Sequence, residues 1–113
     1  MMGRRILLFE IEALRVVFKN CGVTDLLGSF DASQLNVEER CHTYRGQVTR
    51  FYKDELSSLP RIAERVLDGA SLELNGDIVV GFVAYLQDGY LETLEGFTFG
   101  EEWPDVVRAF RAL

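Results

Sequence analysis

The sequence predicts an α+β protein, a single domain over residues 1–113 with an N-terminal helix packed on an antiparallel sheet of about four to five strands. Three observations predict it. Apolar residues Leu7, Ile11, Leu14 and Phe18 recur at helical spacing near the start. Asn75-Gly76 and Asp88-Gly89 are two-residue hairpin turns, each flanked by strand-like sequence, so the sheet ends in a three-strand meander. The middle strand, Ile78 to Leu86, is apolar on both parities, which asks for cover on both faces.

Taken in order, the helix spans Arg4 to Asn20, with Glu12, Arg15 and Lys19 on its polar side and Cys21-Gly22 as its stop. Thr24 to Leu27 reads as a capped turn, followed by a loop to Ser33. Leu35–Thr43 and Gln47–Lys53 form a hairpin through Tyr44-Arg45-Gly46, with Gly46 expected at positive φ. Asp54 to Leu67 is polar and partly helical, with Leu59, Ile62, Ala63 and Val66 as a short amphipathic stretch and Pro60 tolerated in its first turn. The meander strands are Ser71–Leu74, Asp77–Gln87 and Tyr90–Phe99. A helical turn is expected from Asp105, set up by Trp103-Pro104 lying over the sheet edge.

Two-residue turns fix register. Gln87 then faces Tyr90, Tyr85 faces Glu92 and Val83 faces Leu94, while on the other face Leu86 meets Leu91, Phe82 meets Glu95 and Val80 meets Phe97. A bulge at either Gly81 or Gly96 would shift the later pairs. In this register Glu95 sits in an apolar column, where its charged form is disfavoured, which makes it the first candidate for a site.

With 48% hydrophobic and 12% aromatic residues the chain has the makings of one core rather than of a disordered tail. The net charge of −6 disfavours nucleic acid. That charge is uneven: residues 1–67 carry 10 basic and 9 acidic side chains, whereas Asp68 to Asp105 carry 9 acidic and no basic ones. The acidity is therefore expected to belong to one surface region, facing water, the chain's own arginines or a cationic partner. Cys21 and Cys41 have no C-x-x-C spacing and are expected to be reduced thiols packed as small hydrophobes in a cytoplasmic protein. Met1-Met2-Gly3-Arg4-Arg5 opens like a signal peptide, but Glu10 and Glu12 cut the apolar run short, and no segment is long enough to span a membrane.

No phosphate loop, dinucleotide fingerprint, nucleophile elbow or zincin motif is present. His42 is the only histidine, and Cys21, Cys41 and His42 are too few and too poorly spaced for zinc, so neither metal nor cofactor is expected. Arg40, His42 and Tyr44 share one parity of the first hairpin and form a candidate polar patch, or simply a solvated face. Trp103 is expected to pack in the core or at an interface rather than to stack on a ligand. Arg40, His42, Tyr44, Glu95 and Trp103 are thus the candidate binding residues, with no catalytic residue among them.

The strings VEERCHTYRGQVTRF (Val37–Phe51) and GFVAYLQDGYLETLEGFTFGEEWP (Gly81–Pro104) resemble a group of small bacterial proteins. Its members pair an R-x-x-T-x-x-G-x-x-T segment, here Arg40, Thr43, Gly46 and Thr49, with a C-terminal L-E-G-F-T-[FY]-G-x-x-W-P segment, here Leu94 to Pro104. The group has no assigned activity, so the resemblance implies no catalytic residue. An aromatic pair expected after Gly46 is replaced by Gln47 and Val48. The layout is also similar to cystatin-like helix-on-sheet folds, an architectural likeness without functional content.

Two functions follow. One is a non-enzymatic binding or interaction module presenting the Asp68–Asp105 carboxylates to a basic protein, as immunity proteins of similar size and acidity do, with homodimerisation through the sheet as a further expectation. The alternative is a small ligand-binding protein or enzyme with a helix-to-sheet pocket containing Glu95.

Overall fold

The computed structural model describes residues 4–113; Met1, Met2 and Gly3, and with them the start of the signal-like opening, lie outside the described residues. The α+β class holds, but the sheet has seven strands rather than four or five. They are β1 (Arg4–Arg5), β2 (Asn36–Thr43), β3 (Gly46–Phe51), β4 (Val66–Leu74), β5 (Ile78–Gln87), β6 (Tyr90–Thr98) and β7 (Phe110–Ala112), in the antiparallel order β1-β2-β3-β6-β5-β4-β7. One α-helix, α1 (Leu8–Asn20), crosses one face.

The helix begins four residues later than its apolar period suggests, because Arg4 and Arg5 pair with Val37 and Asn36 as an edge strand. The Glu10 carboxylate accepts the Leu7 N–H at 2.8 Å and so supplies the cap that Leu7 has no side chain to provide. At the other end Gly22 takes φ 70°, Val23 N–H bonds to the Phe18 carbonyl and Gly22 N–H to that of Lys19. This is a Schellman ending, sealed by buried Phe18 and Val23. Between these ends Phe9, Ala13, Leu14 and Val17 bury against Leu72, Phe82, Ala84 and Leu94 in one core.

Thr24–Leu26 is a 3₁₀ turn without a side-chain cap. Of the partly helical stretch expected over residues 54–67, only a 3₁₀ turn at Glu55–Ser57 forms; the amphipathic turn through Leu59 and Ile62 is absent, both burying as irregular chain, and Val66-Leu67 already belong to β4. No helical turn follows Asp105; the chain bends at Asp105 and Val106 and then enters β7.

Asn75 and Asp88 both have φ 54°, with Gly76 at 82° and Gly89 at 81°, so both hairpin turns have the primed geometry that the sequence predicts. Gln87–Tyr90 and Leu86–Leu91 pair as expected, but then Tyr85 pairs with Thr93, leaving Glu92 as the extra residue of a bulge. Every later pair shifts by one: Val83 faces Glu95, Phe82 faces Gly96 and Val80 faces Thr98. The bulge therefore carries Glu95 to the face away from α1. Gly46 is not at positive φ; a Cβ there would stand 2.7 Å from the Gly96 carbonyl oxygen, so glycine is required for strand approach.

The shift also gives the L-E-G-F-T…W-P string a packing role. Leu94 lies in the core, and a Cβ on Gly96 would meet Phe82 and Trp103 at 2.7 Å each. Phe97 lies over Gly81 on the opposite face. Trp103 is 4% exposed, with its ring 6.3 Å from Phe9 and 6.1 Å from Phe82.

Candidate functional site

Arg40 and His42 of β2, Gln47 of β3, the start of α1 and the chain from Trp103 to Phe110 border a common space. A cleft of about 450 Å³ opens between them. Its walls are apolar: Leu7, Leu8 and Phe9 from the helix start, Val106, Val107 and Phe110 from the returning segment. Leu8, at 72% exposed, and Val106, at 58%, stand at its rim. Its polar groups are Arg40, His42, Gln47, Asp105 and Arg108.

Beneath Arg40 lies a buried polar cluster centred on Glu10, which has no solvent exposure. Its Oε1 accepts from Arg40 Nη2 at 2.6 Å, and its Oε2 accepts from Arg40 Nε at 3.0 Å, Gln47 Nε2 at 3.0 Å and Thr49 Oγ1 at 2.6 Å. With the Leu7 amide this makes five donors on one carboxylate, enough to offset the loss of hydration. Arg40 Nη2 also donates to the Arg5 carbonyl. The arginine is thereby fixed from below while 14% of its side chain remains open on the cleft.

The cleft wall is anchored by Asn75. Its Nδ2 donates to the Val106 carbonyl at 2.9 Å, and its Oδ1 accepts from Arg108 N–H at 2.7 Å and Ala109 N–H at 3.2 Å. The hairpin turn and the cleft are thus one construction.

Of the five candidate residues, three converge here: Arg40, His42 and Trp103. Tyr44 is 63% exposed in the hairpin turn and is tied to the site through its backbone, its carbonyl accepting the Trp103 N–H at 2.7 Å. Glu95 does not join them. It lies on the outer face opposite Val83 and accepts from the Tyr85 hydroxyl at 3.3 Å, so the helix-to-sheet pocket containing Glu95 does not form. Sequence reasoning missed Glu10, Asn75 and Arg108; a glutamate on the apolar side of a predicted helix was the available signal for the first.

Tyr85 is pushed above the ordinary tyrosine range, first by burial and then by the Glu95 charge and hydrogen bond and by Asp68. Asp68 and Glu95 flank Val83 on the outer face, where Val79 and Phe99 are exposed at 39% and 69%. No described segment covers this face. The acidic stretch is not one surface, contrary to expectation: Asp77 and Asp88 stand at opposite ends of β5, and Glu73 pairs with Arg111. The cysteines also depart from expectation in part. Both are free, but Cys41 is exposed, its thiol donating to Glu39, and Cys21 is half-buried with its thiol on the Asp68 carbonyl.

Among the described residues no cluster of His, Cys, Asp or Glu is arranged to hold a metal ion, and no helix is long and apolar enough to cross a membrane. Compared with known protein families, curated proteins and solved structures, the chain matches none of them.

Proposed function

We propose that this protein works by binding, as a non-enzymatic module whose ligand site is the cleft between the start of α1 and the 103–110 segment. The observation that carries the reading is a guanidinium, Arg40, fixed by the buried Glu10 cluster at the side of an otherwise apolar cleft. A fixed polar group among apolar walls is the usual anatomy of a small-molecule site. The Glu10 carboxylate has its lone pairs committed to five donors, which suits an anchoring role better than proton transfer. Calorimetric screening of a fragment set of mixed charge against the wild type and Val106→Phe tests it. Val106 stands at the rim, so binding present in the wild type and weakened about tenfold or more in the variant supports the reading. Equal binding by both places the site elsewhere.

A second reading rests on the outer sheet face, where Val79 and Phe99 are exposed and Val83 and Phe97 half-exposed beside Asp68 and Glu95. This face suits a second copy of the chain or a basic protein. Light scattering at micromolar concentration tests the second copy: a mass twice 12.9 kDa, reduced to 12.9 kDa by Phe99→Asp, supports it, and a strict monomer removes it.

A further inference from the structure

We propose that the cleft receives a small organic monocarboxylate with an apolar body, its anionic end against Arg40, His42 and Arg108 and its body between Leu8, Val106 and Phe110. This rests on the cleft being the ligand site and narrows that reading to a ligand class.

Replacing a buried ion pair by apolar side chains is often neutral or stabilising, so Glu10 and Arg40 are poorly explained as a source of stability. What the pair does provide is an arginine with two of its nitrogens already committed, Nε and Nη2. No hydrogen bond among the described residues uses Nη1, and the side chain retains exposure on the cleft. The Nε hydrogen and both Nη2 hydrogens are thus committed, and Nη1 is left to donate to an anion from a side chain with little rotamer freedom left to lose.

The Glu10 charge is spent on Arg40, and Arg108 takes part in no ion pair among the described residues. Arg108 and His42 therefore add donors to the lining of the cleft. Asp105 lines the same cleft and offsets part of the Arg108 charge, so a ligand with more than one negative charge is disfavoured. The overall −6 disfavours polyanions for the same reason.

Six apolar side chains line an open cleft whose volume lies within the roughly 300–1,000 Å³ of small-molecule sites, which favours a ligand with an apolar body.

Trp103, the sole tryptophan, lines the cleft and reports on it. The test titrates the full chain with 4-phenylbutyrate and with the neutral 4-phenylbutyramide, following Trp103 emission and heat of binding. The expected result is saturable binding of the acid at least about tenfold tighter than the amide. Arg108→Ala should remove most of that difference without lowering the thermal midpoint, since the Arg108 side chain is exposed and makes no described hydrogen bond. Equal affinity for acid and amide, or an unchanged preference in Arg108→Ala, overturns the carboxylate inference and leaves the cleft reading standing. Binding of only neutral or cationic fragments at the cleft does the same. Failure of fragments of every charge to bind there overturns both.

Discussion

Glu10 and Arg40 lie 30 positions apart and meet through two hydrogen bonds, at 2.6 and 3.0 Å, with the carboxylate wholly buried. The contact joins the first turn of the helix to an outer strand of the sheet and sets one side of the cleft. Removing either partner strands the other in the interior. Glu10→Leu and Arg40→Leu should each cost about 3–5 kcal/mol in urea unfolding, whereas the double variant should cost far less than their sum. Additive losses would show that the two groups do not act as a pair.

Gly96 and Gly81 separate packing on the two faces of one sheet. An alanine Cβ at 96 strikes buried Phe82 and Trp103, while at 81 it strikes only the end of the half-exposed Phe97 ring. Gly96→Ala should lose about 2–3 kcal/mol and Gly81→Ala clearly less, measured by the same unfolding transition. The reverse order would contradict the register of β5 and β6.

Asn75→Gly keeps the left-handed turn but removes the three side-chain hydrogen bonds that hold residues 106–109. Amide exchange at Arg108 and Ala109 should accelerate, with a stability loss of about 1–3 kcal/mol. Protection unchanged at those amides would mean that β7 and the backbone bond from Asn75 N–H to the Ala109 carbonyl hold the segment without the side chain.

Tyr85 supplies a pH dependence with a definite sign. Its pKa is raised by burial and then by Glu95 and Asp68, so the folded state keeps the phenolic proton longer than the unfolded chain. Its contribution to stability is complete below the ordinary tyrosine pKa of about 10 and is lost as pH rises through the folded value. Ultraviolet titration should find one late-ionising tyrosine, and Glu95→Gln should bring it down; no change on that substitution would remove Glu95 as a cause.

The sequence shows the meander most clearly, because Asn75-Gly76 and Asp88-Gly89 carry their own turn geometry. It hides the register beyond Leu86: with both parities of β5 apolar, a one-residue slip leaves the hydrophobic pattern intact, and nothing in the sequence singles out Glu92 as the bulge. The edge strands β1 and β7 are two and three residues long, too short for any periodicity, and are set by pairing with β2 and β4. Arg40, His42 and Trp103 stand out in the sequence by residue type. Their convergence depends on the path of residues 103–110, which no local pattern encodes and which Asn75 fixes from a distant turn.

The most direct measurement is a map of amide and indole N–H shifts in isotope-labelled protein on addition of 4-phenylbutyrate. The account predicts saturable shifts at Leu8, Arg40, His42, the Trp103 indole and Arg108, with Val79, Val83 and Phe99 unmoved. Shifts centred on those outer-face residues, or no saturable shift at the cleft, would contradict it.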